Sequence, residues 1–161
     1  MRAFSSFETF SEEFYFSPGK KNALLKLQDD YDLNVNFILF CFWVGLTKEK
    51  LLSSNDILVL TTFCAKWQNL VVKKIRNLRK NLKQFNNKEV IYIREEVKKL
   101  ELRAEYLEQQ FLLYKFYKIY KNNKAKKNIK NISYKNFLLY LDFKKIDKEK
   151  CSDEIKVITN E

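Results

Sequence analysis

Two stretches of this 161-residue chain, 57–85 and 90–114, carry apolar residues at alternating three- and four-residue steps, and only Phe85-Asn86-Asn87-Lys88 separates them. That period belongs to an α-helix with one apolar stripe, and so short a connection makes the two helices antiparallel neighbours. The first arm reads Ile57, Leu60, Cys64, Trp67, Val71, Ile75, Leu78, Leu82, Phe85, and the second Val90, Ile93, Val97, Leu100, Ala104, Leu107, Phe111, Tyr114. The spacing predicts a two-helix coiled-coil seam. One step, Val71 to Ile75, breaks the alternation in the first arm.

Only two glycines and one proline occur, and 46% of residues are hydrophobic. Few breakers and ample apolar residues favour long uninterrupted helices over turn-rich sheets, so the predicted fold class is all-α, a small helical bundle. Near the hairpin's ends apolar residues cover more than half of each helix, and from Lys73 to Lys99 only the seam is apolar. The expected organisation is one helical domain over 1–120, with a base formed by 1–72 and 100–120. The hairpin 73–99 would project from it by about 20 Å at helical rise. A basic linker at 121–132, a short helix at 133–145 opened by Ser133, and a flexible tail at 146–161 would follow.

The N-terminal half reads as three helices. Phe4, Phe7, Phe10 and Phe14 share a face, Ser17-Pro18 reads as a cap with proline at the first helical position, and Asn34 reads as the cap of a helix running to Gly45-Leu46. That third helix has 15 residues without charge, fewer than the about 20 apolar residues a span requires. It is expected to be a buried central helix, and the chain to have no integral membrane span. The start carries Glu8, Glu12 and Glu13 and does not resemble a signal peptide. Cys41, Cys64 and Cys151 are odd in number and far apart, which fits reduced thiols and a cytoplasmic location.

The formal net charge of +11 is unevenly placed: residues 66–145 hold 22 basic and 7 acidic side chains. Lysine supplies 26 of the 31 basic residues, a bias that AT-rich coding would also produce. The candidate anion- or partner-binding residues are Lys73, Arg76, Arg79, Lys80 and Lys83 on the hairpin, with Lys124, Lys126, Lys127 and Lys130 in the linker. Four of the five arginines, Arg76, Arg79, Arg94 and Arg103, lie on the hairpin. Planar guanidiniums suit bidentate pairing, and Glu95, Glu96, Glu101 and Glu105 are the carboxylates within reach. A second candidate, a polar pocket, comprises Gln28, Asp29, Asn34, Asn36 and Trp43. Its competing reading is that Gln28 and Asp29 satisfy helix-end groups, Asn34 caps a helix and Trp43 is core.

The runs Pro18-Gly19, Leu27-Gln28-Asp29, Val35-Asn36 and Leu39-Phe40-Cys41-Phe42-Trp43, with Ile75 to Lys83 and Glu101 to Glu105 further on, carry a resemblance. Over about residues 7–113 the chain resembles a small proteobacterial family catalogued as a domain of unknown function, number 2390 in that series. The family usually has a glycine where Asp32 stands, an acidic residue at Asn34 and a tryptophan near Phe10. The resemblance implies a bacterial cytoplasmic protein and brings no activity, cofactor or catalytic residue.

There is no histidine, and no nucleophile–base pair can be assembled, so an enzyme is not expected, nor a cofactor or metal. The expected function is a helical protein–protein interaction or adaptor role through the charged hairpin, with another protein as partner. The alternative is nucleic-acid or ribosome association, without sequence specificity, through the basic hairpin and linker.

Overall fold

A computed structural model describes residues 6–120 and 131–160, and the described residues form helices and no strand. The fold is all-α. The helices are α1 (Phe7–Tyr15), α2 (Lys20–Tyr31), α3 (Val35–Thr47), α4 (Ser54–Trp67), α5 (Lys73–Asn81), α6 (Lys88–Ile119), α7 (Ile132–Phe143) and α8 (Ser152–Thr159). The chain divides into two compact units, Met1–Val59 with Tyr120–Glu161, and Leu60–Ile119. The division falls within α4, which runs from the first unit into the second.

Polar side chains define the helix starts. Ser6 accepts from Thr9 N at 3.1 Å, Asn34 accepts from Phe37 N at 3.3 Å, and Asn87 accepts from Glu89 N at 2.8 Å. At α4 the cap is Ser53: its hydroxyl accepts from Asp56 N at 3.2 Å while Asp56 accepts from Ser53 N at 2.7 Å, a reciprocal box. α2 opens after Gly19 at φ 77 rather than at Pro18, and closes on Asp32 at φ 51. Both lie in the left-handed region, and Asp32 holds the cap position where glycine is commonest. Asn131, not Ser133, precedes the first residue of α7.

In the first unit α3 is the axis, as its uncharged sequence requires: every residue from Asn36 to Gly45 is buried. Phe7 of α1 meets Phe40 and Trp43 at centroid distances of 5.6 and 5.3 Å. α7 packs along another side, with Tyr140 against Phe37 at 4.6 Å and Phe137 against Phe42 at 5.4 Å. The C-terminal residues are not a loose tail. Cys151, Ile155 and Ile158 are buried, α8 packs on α2, Lys26 Nζ reaches Glu154 Oε1 at 2.5 Å, and Tyr31 donates to Lys150 O at 3.0 Å. Spacing of four and three residues gives that short segment one apolar face, which explains why it docks despite its charge.

Asn136 of α7, fully buried, ties the segment after α3 to the core. Its amide donates to Cys41 O at 3.3 Å and Lys50 O at 2.9 Å, and its Oδ1 accepts from Leu52 N at 2.9 Å. Asn136→Ala takes the side-chain partner from Leu52 N and Lys50 O, while Cys41 O keeps its place in the α3 ladder, and we expect a loss of about 2 kcal/mol in chemical denaturation. Asn136→Asp, which keeps the acceptor and loses both donors, should fall at least as far.

Candidate functional site

The second unit is a helical pair whose first arm is not one helix. α4 passes into a π-helical turn at Gln68–Val72, then α5, then a 3-10 turn at Leu82–Gln84. The buried residues of this arm, Leu60, Cys64, Gln68, Val72 and Arg76, recur at steps of four. Four such steps would carry the stripe well round a regular 3.6-residue helix, and the π turn takes up the extra residue and returns Arg76 to the facing side. The irregular Val71–Ile75 step in the sequence lies at this turn.

Across from these lie Glu101, Ala104, Glu108, Leu112 and Phe116 of α6, also buried. The interface is therefore rich in polar side chains. Arg76 donates from Nε to Glu101 Oε1 at 2.9 Å and from Nη2 to Glu105 Oε1 at 2.5 Å. Arg79 grips Glu101 as well, through Nε to Oε2 and through Nη2 to Oε1 at 3.2 Å. With its amide nitrogen turned inward, Gln68 donates to both oxygens of Glu108, at 3.1 and 3.2 Å, and Glu108 is 0% exposed. Trp67 donates from Nε1 to Ala104 O at 2.9 Å. These bonds fix the register of the two arms where an apolar seam alone would let them slide.

The charges in this interface respond to one another. Burial alone would raise the Glu101 carboxyl, but hydrogen bonds from Arg79 and Arg76 outweigh it and hold Glu101 below the usual carboxylate range. For Glu105 burial prevails over Arg76 and its carboxyl sits high. Burial, with Glu108 nearby, pushes the Cys64 thiol up to about 12, which removes it as a nucleophile at neutral pH.

The expected seam is displaced. Ile93, Leu100, Leu107 and Tyr114, four of its α6 residues, are 50, 52, 42 and 59% exposed. They stand beside the interface, on one flank of the pair. Phe63 and Trp67 share that flank, since Phe63 stacks with Tyr114 at 6.3 Å and Trp67 meets Phe111 edge-on at 5.4 Å.

The candidate residues fall into distinct settings. Arg76 and Arg79 pair with Glu101 and Glu105, as the guanidinium geometry led us to expect, and Arg94 reaches its neighbour Glu95 at 3.7 Å. Lys73 is half-buried, while Lys80 and Lys83 are exposed. Lys124, Lys126, Lys127 and Lys130, with most of the linker, lie outside the described residues. Of the second set, Asn34 caps α3 and its backbone N–H donates to Tyr140 Oη at 3.2 Å; Gln28 contacts Asp29 at 3.5 Å; Asn36 is buried. Trp43 is core, with Lys48 Nζ 5.0 Å from its ring centre. The capping and core roles weighed for Asn34 and Trp43 are the ones the structure shows. Gln68, Glu108 and Asn136 escaped the sequence reading. Among the described residues no group of His, Cys, Asp or Glu is arranged to hold a metal, and no helix is long and apolar enough to cross a membrane.

Residues 7–112, most of the chain, match the family model described as "Protein of unknown function (DUF2390)". The chain belongs to this family. No curated protein and no solved structure matches it. The DUF2390 match runs from α1 into α6 and includes both arms of the polar interface. It ends before α7 and α8, so Asn136 and the segment docked on α2 lie beyond it.

Proposed function

We propose that this DUF2390 protein is a non-enzymatic helical interaction protein that uses the α5–α6 pair to engage another protein. One observation carries the reading: the pair holds its own register with buried Arg–Glu and Gln–Glu contacts, and this leaves large apolar side chains at the surface beside exposed lysines. A two-helix element that bonds polar side chains across its interior and displays an apolar flank is built as a rigid recognition surface. The experiment is capture by the purified full chain at moderate salt, compared with Lys80→Glu/Lys83→Glu and with a nucleic-acid binding series over salt. A partner protein retained by the natural chain and released by the charge reversal supports the reading. Binding of RNA or DNA that falls steeply with salt, with no protein retained, would transfer the function to phosphate recognition.

A further inference from the structure

We infer that the exposed apolar flank of the α5–α6 pair is the interface of a symmetric homodimer, so that two hairpins close into a four-helix bundle. This rests on the reading of that pair as the interaction element, and it names a partner: a second copy of the chain.

Spacing is the first argument. Ile93, Leu100, Leu107 and Tyr114 recur at intervals of seven along α6 and are all half-exposed. A heptad row of this kind is the knob pattern of helix-on-helix packing, and although Phe63 of the other arm stacks on Tyr114, all four side chains stay about half exposed. Because the four are evenly spaced, a two-fold axis between Leu100 and Leu107 sets Leu100 against Leu107 of the second copy and Ile93 against Tyr114. An isologous contact requires such self-complementarity. Along the first arm Phe63, Leu70 and Leu78 follow at seven and eight residues, the additional one being taken up by the π turn, and all three are exposed.

Area is the second argument. These seven side chains are each about half exposed. At half of the roughly 150–250 Å² that an aromatic side chain offers, Phe63 and Tyr114 contribute on the order of 100 Å² each, and the five smaller aliphatic side chains somewhat less. The total, about 600 Å² per copy, is within the lower range of specific interfaces, which bury roughly 600–1,000 Å² per partner. A lone pair of helices has no means of burying this flank, whereas two pairs bury it mutually.

Charge supplies a signature that separates this association from anion binding. Between Leu60 and Ile119 the chain has 14 basic and 6 acidic residues, so two such units repel. Added salt should therefore tighten the dimer, while it weakens phosphate binding.

Sedimentation equilibrium on the full chain tests the proposal. We expect about twice the 19.5 kDa chain mass, with self-association strengthening as salt rises. Leu100→Glu/Leu107→Glu should return the mass to the single-chain value with an unchanged helical spectrum. A single-chain mass for the natural protein at its highest soluble concentration overturns the proposal. The register has its own test, which does not depend on that variant folding. Mixed Leu100→Cys and Leu107→Cys chains should oxidise to a crossed dimer, whereas neither alone should, since like positions stand about 10 Å apart at helical rise. Crosslinking of Leu100→Cys to itself with none in the mixture would overturn the two-fold. Lys80→Glu/Lys83→Glu should remain dimeric. Loss of captured protein with the dimer intact, or the reverse, tells which of the two readings has failed.

Discussion

Gly45→Ala is expected to cost about 3 kcal/mol, although alanine is the better helix former by about 1 kcal/mol. Gly45 lies inside α3, and a Cβ there would fall 2.4 Å from both the Cα and the N of Ser133 at the start of α7, and 2.5 Å from its Oγ. Two of those three atoms are backbone, so trimming the Ser133 side chain cannot make room. α7 must move as a body, and it carries Phe137, Tyr140 and Asn136 into the core. At roughly 2–4 °C per kcal/mol for a chain of this size, the midpoint should drop by about 6–12 °C. Trp43, two residues away and packed on Phe7 and Phe40, reports the change by fluorescence once Trp67 is replaced by phenylalanine. The decisive control is Gly45→Ala/Ser133→Gly. Full recovery of stability in the double variant would show that the contact is with the side chain and would refute the close backbone approach. Gly19→Ala should act differently: its constraint is φ 77, with only Val157 Cγ1 at 3.1 Å, so conformational strain and not collision sets its cost.

Much of the architecture was legible because it follows from period and punctuation. Scarcity of glycine and proline selects long helices, Asn87 marks the return of the hairpin, and the uncharged run 33–47 identifies the buried axis. Two kinds of information were not legible. Gly45 reads as a helix end, since a glycine near a C-terminus usually is one, and only the position of α7 reveals that it permits contact. The segment from Cys151 to Ile158 reads as a tail because its apolar residues are few, although their four- and three-residue spacing carried the signal.

The candidate interface was misread for a different physical reason. Apolar periodicity finds every face with a helical stripe and does not say whether the neighbouring arm or something outside the unit covers it. Arg76, Gln68, Glu101 and Glu108 look like surface residues by composition, yet long polar side chains occupy an interior when their groups bond one another. The arms consequently meet along a line rotated from the apolar row, and that row becomes a flank. The one trace in the sequence was the irregular Val71–Ile75 step, where the π turn adjusts the phase.

Glu101→Leu should produce the largest loss in the second unit, about 3–5 kcal/mol, because Glu101 is the carboxylate that Arg76 and Arg79 share. Its removal leaves buried Arg76 bonded to Glu105 and takes from Arg79 both of its bonds to Glu101. Most of the cost belongs to the stranded guanidinium, and a second substitution should reveal this. In Arg76→Met/Glu101→Leu the two members left over, Arg79 and Glu105, carry opposite charges that already interact, and their side chains are the more exposed ones, 24 and 28% accessible. The double variant should regain most of the stability, giving a coupling energy within the 0.5–3 kcal/mol seen between contacting residues. Additive losses would mean that the network is not a unit. Acid supplies an independent check. A carboxyl held low in the folded state contributes stability that is complete above its unfolded value, near 4.5, and is lost as pH falls through the lower folded value. Glu105, held high, acts with the opposite sign: its ionisation opposes folding at neutral pH, and that penalty fades as pH falls through its raised folded value. Glu101→Gln should therefore flatten the loss of stability below pH 4.5, and Glu105→Gln should steepen the net decline on entering acid. Trp67, bonded to Ala104 three residues from Glu101, is the fluorescent reporter for both titrations, with Trp43 replaced by phenylalanine. An unchanged acid limb in Glu101→Gln would place the shared carboxylate outside the interactions that hold the two arms in register.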